Sequence, residues 1–144
     1  MIDNMITPFW EHFAHEADVG VRGVATSKEA AFEQAALAVT AIVTQPEKVA
    51  AKERIEFSCE APDDELLLVD WLNAVIFEMA TRRMLFSRFK VKFAGHALTA
   101  QAWGEPLNPE KHPLGVEVKG ATYTMLQVKQ RDDGLWCAQT VVDV

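Results

Sequence analysis

Residues 88–93, Arg-Phe-Lys-Val-Lys-Phe, alternate cationic and apolar side chains with a period of two. In a β-strand that period places successive side chains on opposite faces, so one face is polar and the other is buried. Gly95-His96 then supplies a turn, and residues 98–103 can return as the second strand of a hairpin. Because hairpins join antiparallel strands, this stretch indicates an antiparallel sheet with one covered face.

Two upstream segments predict the helices that cover this sheet. The first follows Thr26-x-x-Glu29, a pattern typical of a helix N-terminus, and repeats apolar residues at helical spacing as far as residue 43. The second is expected over residues 65–82, after the acidic run that follows Pro62. It is apolar on most of its faces, which predicts that it is almost enclosed.

Strands account for most of the remaining chain. Residues 13–26 predict a first strand, residues 53–60 a strand between the helices, and residues 116–130 one or two strands. Asp132-Asp133-Gly134 predicts a hairpin turn before a last strand over residues 135–144. The expected fold class is α+β in the order β-α-β-α-β-β-β-β-β, with two helices packed on a mostly antiparallel sheet.

Composition narrows the class of protein. The 144 residues fit one hydrophobic core, and the net charge of −7 repels a phosphate backbone, so tight unaided nucleic-acid binding is disfavoured. Neither a secretion signal nor an apolar run of ~18 residues is visible, so we expect a cytosolic protein without a membrane span. Cys59 and Cys137 lack metal-ligand spacing, and we expect both to be free and reduced.

Two aspartates interrupt apolar strands at opposite ends of the sequence. Asp18 lies in the first predicted strand, where its charge must be solvated, paired or metal-bound. Asp143 stands between Val142 and Val144 and is either a solvated residue of the chain end or a ligand. If the first and last strands are neighbours, the carboxylates and nearby backbone oxygens form an all-oxygen site that favours Ca²⁺ or Mg²⁺ over Zn²⁺.

Other titratable residues collect in the proline-rich segment 104–115 and just after it. Glu105 and His112 lie in this segment, which is either a functional loop or a solvated connector. Lys119 follows on the next predicted strand, where it can pair with Glu117 or meet a phosphate. The sequence holds no Gly-rich phosphate loop, Cys-x-x-Cys, His-Glu-x-x-His or Gly-x-Ser-x-Gly motif. These patterns alone therefore predict a small domain with a divalent-metal site.

Four sequence blocks and the last three residues resemble the archease family. The blocks are residues 15–20 (HEADVG), 68–73 (LVDWLN), 104–106 (GEP) with 111–112 (KH), and 118–123 (VKGATY), closed by 142–144 (VDV). They follow the family's order over about residues 12–144, and their joint occurrence is specific although each block alone is weak. We therefore expect residues 1–11 to be a loose N-terminal extension and residues 12–144 to be a single domain.

The resemblance implies an accessory protein rather than an enzyme. Archeases assist the GTP-dependent RNA ligase that seals tRNA exon halves and repairs RNA, and they promote its guanylylation and multiple turnover. The resemblance implies a divalent metal ion bound by Asp18, Asp143 and a backbone oxygen of Val144. Ca²⁺ is the expected ion, and Mg²⁺ is the alternative. RNA is then reached only through the ligase. Further residues expected near the site or the partner are His15, Glu16, Glu105, His112 and Lys119.

The sequence departs from the family pattern at three positions. Glu16 replaces the usual Thr, Lys111 replaces Arg, and Thr124 stands where His is frequent. Glu16 adds a carboxylate beside the expected metal site, and the other two changes alter the expected partner contacts.

Two alternatives and two questions stay open. One alternative is a small metal-dependent phosphoester hydrolase that uses Asp18, Asp143 and either His15 or His112 as metal ligands and general base. The other is a chaperone-like modulator of a tRNA methyltransferase, a role also proposed for the family. The sequence leaves open the oligomeric state, and whether the sheet or another subunit covers the apolar second helix.

Overall fold

The computed structural model describes residues 7–144, in which eight strands and two α-helices follow one another along the chain. A short 3-10 helix, Pro46–Lys48, lies between the first helix and the third strand. The elements in order are β1 (Phe9–His15), β2 (Asp18–Ala25), α1 (Lys28–Val43), β3 (Glu53–Glu60), α2 (Asp64–Arg82), β4 (Met84–Ala94), β5 (Ala97–Pro106), β6 (Gly120–Ala121), β7 (Gln127–Gln130) and β8 (Trp136–Asp143).

The predicted α+β class is confirmed, but the first predicted strand is in fact a hairpin. β1 and β2 pair antiparallel from Phe9 with Val24 to His15 with Asp18, and the chain turns at Glu16 and Ala17. This turn contains no Gly or Pro, so no turn pattern is visible in the sequence, and Glu16 adopts a left-handed φ of 55° instead. Residues 9–11 of the predicted loose extension belong to β1, and residues 1–6 lie outside the described residues.

The strands form two antiparallel sheets where the sequence indicated one. A five-stranded sheet has the order β1-β2-β8-β6, with β7 also paired to β8, and a three-stranded sheet has the order β3-β5-β4. β6 and β7 pair with successive parts of β8, so the predicted strand region 116–130 is split around a connection at residues 122–126. The hairpin of β4 and β5 turns at Gly95-His96, as the sequence predicted.

Both helices begin at side-chain caps. Ser27, rather than Thr26, caps α1 and accepts a hydrogen bond from the Ala30 N–H at 3.1 Å. Asp63 caps α2 and accepts from the Leu66 N–H at 2.8 Å, which satisfies one of the free N–H groups at the helix start. At the other end of α2, Arg83 adopts a left-handed φ of 53° and its N–H bonds the Met79 carbonyl.

The core lies between the helices and the inner faces of the sheets. Trp71 on α2 is fully buried and its indole N–H donates to the Phe32 carbonyl on α1 at 3.0 Å. α1 lies close to β2 at Gly23, where an added Cβ would be 2.1 Å from the Ala31 carbonyl oxygen.

Cys59 and Cys137 are both free, and burial raises the pKa of each thiol. Within residues 7–144, every helix is too short or too polar to cross a membrane.

Candidate functional site

Asp18 and Asp143 lie at the same edge of the five-stranded sheet. Asp18 begins β2 and Asp143 ends β8, and these two strands are antiparallel neighbours. Their last registered pair is Val19 with Val142, so one further step places the two aspartates opposite each other. Directly opposed residues share one face of the sheet with Cβ atoms about 5 Å apart. The fold thus brings together two carboxylates that are distant in sequence.

Backbone contacts fix the surroundings of the two aspartates. The Val144 N–H donates to Asp18 Oδ1 at 3.3 Å, which shows that the Asp18 side chain reaches the end of β8. The Lys119 N–H donates to the Asp143 carbonyl at 2.8 Å. The Asp143 side chain is exposed, so its carboxylate remains accessible while its backbone is held. Asp18, Asp143, Val144 and Lys119 therefore form one connected group.

The oxygens of this group fit a hard divalent cation. Ca²⁺ takes about six to eight oxygen ligands from carboxylates, backbone carbonyls and water, and two carboxylates can supply only part of such a shell. Across residues 7–144, no three His, Cys, Asp or Glu side chains converge as a metal cluster. A cation here would therefore need backbone and water oxygens beside Asp18 and Asp143. The pair does not suit Zn²⁺, which prefers nitrogen and sulfur ligands.

His15 and Glu16 lie beside this group, at the turn between β1 and β2. His15 is the registered partner of Asp18, and its Nδ1 is 4.0 Å from Glu16 Oε2. The Glu16 side chain is almost fully exposed. The turn therefore places a third carboxylate and an imidazole at the rim of the two-aspartate group.

Glu105 and His112 form a separate, buried cluster. Glu105 is 6% exposed and His112 is 0% exposed. Glu105 Oε2 accepts from the Ala50 N–H at 2.8 Å, contacts His112 Nε2 at 2.9 Å and contacts Lys111 Nζ at 2.6 Å. The Ala50 N–H, then Lys111 and then His112 lower the pKa of Glu105 to about 2. The cluster joins the end of β5 to the segment after the 3-10 helix.

This cluster has a structural role in the proline-rich segment. His112 Nδ1 accepts from the Asn108 N–H at 2.9 Å, so the ring proton sits on Nε2 and is donated to Glu105. Both ring nitrogens are thus engaged, and the ring is inaccessible to a substrate or a partner. His112 is therefore unsuited to be the general base of the hydrolase alternative. Lys111, which replaces the family's usual Arg, is the nearer cation of this cluster, and Lys52 Nζ lies 3.8 Å from Glu105 Oε1.

Sequence reasoning missed an apolar cavity near the C-terminal ends of both helices. It has a volume of about 260 Å³ and is bordered by residues 114–118, at the end of the proline-rich segment and just after it. Leu114 and Val116 were visible as apolar residues in a polar stretch, but their exposure depends on how that stretch crosses α1. Asn73, the last residue of the 68–73 block, accepts from the Ala121 N–H at 2.8 Å and so holds β6 against α2.

Comparisons with known proteins agree with the sequence resemblance. The archease protein family (MTH1598/TM1083) matches residues 10–144. The chain is 39% identical to protein archease of Pyrococcus abyssi over 139 residues, which cover 94% of this chain and 98% of that protein. It is 37% identical to protein archease of Methanopyrus kandleri, with 94% and 99% covered.

Solved structures share the fold. The solution structure of Methanobacterium thermoautotrophicum protein 1598 superposes with a TM-score of 0.82 at 34% identity, covering 94% of this chain and 98% of that one. A Thermotoga maritima crystal structure, described as an archease and possible chaperone, gives a TM-score of 0.58 at 21% identity over 93% and 96% of the chains. The family match and the curated relatives confirm the family expected from the sequence, and this chain belongs to the archease family.

Proposed function

We propose that this protein is a metal-dependent accessory protein that activates a tRNA-splicing and RNA-repair ligase. In this proposal it promotes guanylylation of the ligase and multiple turnover, and it does not ligate RNA itself. The observation that carries the proposal is the pairing of β2 with β8, which sets Asp18 opposite Asp143. The archease membership supports the same role, because the family resemblance assigns a required metal to these two aspartates.

Each residue of the group has a distinct task in this proposal. Asp18 and Asp143 supply carboxylate oxygens, and Val144 supplies a backbone oxygen to a Ca²⁺ ion, with Mg²⁺ as the alternative. The ion would supply positive charge at an otherwise anionic edge. Lys119 holds the Asp143 backbone through its N–H, and its residue is exposed. His15 and Glu16 border the same edge and are within reach of a docked partner.

The charge of the protein is suited to a ligase partner. A net charge of −7 favours a basic surface, which an RNA-binding ligase presents to its substrate. The same charge disfavours direct RNA binding, so RNA is reached only through the ligase. The description of the Thermotoga maritima relative as a possible chaperone fits an accessory role of this kind.

Multiple-turnover ligation with the cognate ligase tests the metal site. We expect wild-type protein with Ca²⁺ to stimulate turnover, and Asp18→Ala and Asp143→Ala each to reduce stimulation by about ten-fold or more, as loss of a metal ligand commonly does. Asp132→Ala, in the exposed turn before β8, is the matched control and retains full stimulation. Calorimetric titration with Ca²⁺ measures the ion directly. Equal stimulation by wild type and both site variants contradicts the proposal.

A further inference from the structure

An apolar cavity opens where α2 ends, beside the last turn of α1. It encloses about 260 Å³, and its apolar lining includes Val43, Ile76, Met79, Leu85, Leu107 and Val118. The charged residues in the lining are Arg83 and Glu117. Binding pockets in proteins are mostly apolar with a few polar groups that orient the occupant. The cavity is near the lower end of ligand-pocket volumes, which suits a single large side chain.

Exposed apolar side chains surround this cavity. Leu114 is 60% exposed and Val116 is 54% exposed, and both border it. Phe77 on α2 is 61% exposed and lies one turn before Ala80, another lining residue. We call Leu114 and Val116, the two exposed apolar residues that border the cavity, the Leu114 surface. Clustered exposed apolar residues of this kind mark interaction sites, whereas single ones are common on any protein.

The Leu114 surface is held in place by hydrogen bonds to the end of α1. The Gly115 N–H donates to the Val43 carbonyl at 2.7 Å, and the Val116 N–H donates to the Ile42 carbonyl at 3.0 Å. The Thr44 hydroxyl donates to the Pro113 carbonyl at 2.7 Å. Leu114 and Val116 are therefore presented by a fixed backbone, which reduces the entropy lost when a partner binds.

The surface is linked to the two-aspartate group by a short stretch of chain. Val116 is three residues before Lys119, so at most about 10 Å of chain separates them. The Lys119 N–H in turn donates to the Asp143 carbonyl.

Charge distinguishes between the candidate occupants. A second copy would bring another net charge of −7 to this face, and the resulting repulsion opposes self-association. Glu117 in the cavity lining is an exposed carboxylate. Together with the net charge of −7, it favours a segment that places Lys or Arg beside its apolar anchor. Arg83 adds donors to the lining for a backbone carbonyl of that segment.

We propose that the Leu114 surface is a docking site for a basic amphipathic segment of a partner protein, with one apolar side chain inserted in the cavity and a cation facing Glu117. The identification of that partner as the RNA ligase rests on the proposed function. The docking chemistry itself does not, because it follows from the cavity, the exposed side chains and the charges around them.

The first experiment needs no ligase. The ¹⁵N-labelled protein is titrated with a short amphipathic peptide of Leu and Lys, and separately with its Leu and Glu counterpart, while NMR chemical shifts are recorded. We expect the Lys peptide to shift amides of residues 76–85 and 114–118. Leu114→Asp should weaken this binding about ten-fold or more, the loss typical of a central anchor contact. Phe9→Asp is the matched control, since Phe9 is a 41% exposed apolar residue on β1, and binding by this variant should not change.

Three results would overturn the docking site. These are shifts confined to other parts of the protein, equal binding of the Lys and Glu peptides, or equal binding by wild type and Leu114→Asp. Val116→Asp provides a second variant, and circular dichroism verifies that each variant is folded. Sedimentation at several protein concentrations tests whether a second copy of this protein occupies the surface. Dimerisation that Leu114→Asp abolishes would assign the surface to that second copy instead.

A second experiment uses the cognate ligase without RNA or GTP and measures its affinity for this protein. We expect Leu114→Asp to lose affinity about ten-fold or more, and Phe9→Asp to bind as wild type does. If the ligase fails to bind wild-type protein while the Lys peptide still binds the surface, the proposed function is wrong and the docking site stands. If the ligase binds wild type and Leu114→Asp equally, the ligase does not use this site.

Discussion

Replacing Glu105 with Gln tests whether the buried cluster stabilises the fold through charge. The substitution keeps the shape of the side chain but removes the negative charge that binds Lys111 and His112. The pKa of Glu105 is lowered from 4.5 to about 2, and a shift of that size corresponds to at most about 3.4 kcal/mol. Lys111 is partly exposed, so solvent screens its share. We therefore expect the free energy of unfolding to fall by about 2 kcal/mol at pH 7.

The pH dependence gives the sharper test. A carboxylate whose pKa is lowered by folding contributes stability above its unfolded pKa, near 4.5, and this contribution is lost as the pH falls towards 2. The stability difference between wild type and Glu105→Gln should thus be constant from pH 7 to about pH 5 and should shrink by pH 3. Urea unfolding, followed by tryptophan fluorescence at these three pH values, measures it.

The control variant is Glu56→Gln. Glu56 is an exposed carboxylate paired with Arg54 at 3.2 Å, and an exposed pair contributes about 0–1 kcal/mol. Its replacement should change stability little at any of the three pH values. If the stability difference between wild type and Glu105→Gln is the same at pH 3 and pH 7, the charge-based explanation is refuted. The loss of stability would then come from changed packing.

Two further substitutions test the helices. Asp63→Ala removes the acceptor for the Leu66 N–H at the start of α2 and should lower the free energy of unfolding by about 1 kcal/mol. Thermal unfolding should show a lower midpoint for this variant, and an unchanged midpoint for the control Asp132→Ala in an exposed turn. Gly23→Ala should be more severe, because its Cβ would lie 2.1 Å from the Ala31 carbonyl oxygen and 2.5 Å from the Ala35 nitrogen. We expect α1 to be displaced and stability to fall by about 3 kcal/mol or more, whereas an unchanged unfolding curve would show that α1 does not need this close approach.

Local sequence patterns predicted the helices, and the hairpin whose two strands are adjacent both in the sequence and in the structure. The period-two alternation of residues 88–93 and the Gly95-His96 turn predicted the β4–β5 hairpin. β3 occupies residues 53–60 as expected, and α2 begins one residue before the predicted position. The first hairpin was missed because Glu16 adopts a left-handed conformation that its residue type does not favour.

At the candidate site, too, the sequence identified the residues and the fold decided how they are placed. The sequence selected Asp18 and Asp143 because a charge in an apolar strand requires a partner or solvent. Only the sheet order, with β8 inserted beside β2, decided that they face each other, and the Asp18 to Val144 hydrogen bond spans 126 positions. No local pattern specifies such a pairing, since it depends on how the whole core packs.

Burial was likewise decided by tertiary structure. Glu105 and His112 appeared as polar residues of a proline-rich connector, yet both are enclosed because Ala50, from a distant segment, donates to the Glu105 carboxylate. Leu114 is the opposite case, an apolar side chain left exposed where the backbone of its neighbours Pro113 and Gly115 is bound to the end of α1. The sequence by itself determined the family, the helices and most strands through local periodicity and motif blocks. The meeting of the aspartates, the buried cluster and the Leu114 surface required the fold, because each arises from contacts between segments far apart in the chain.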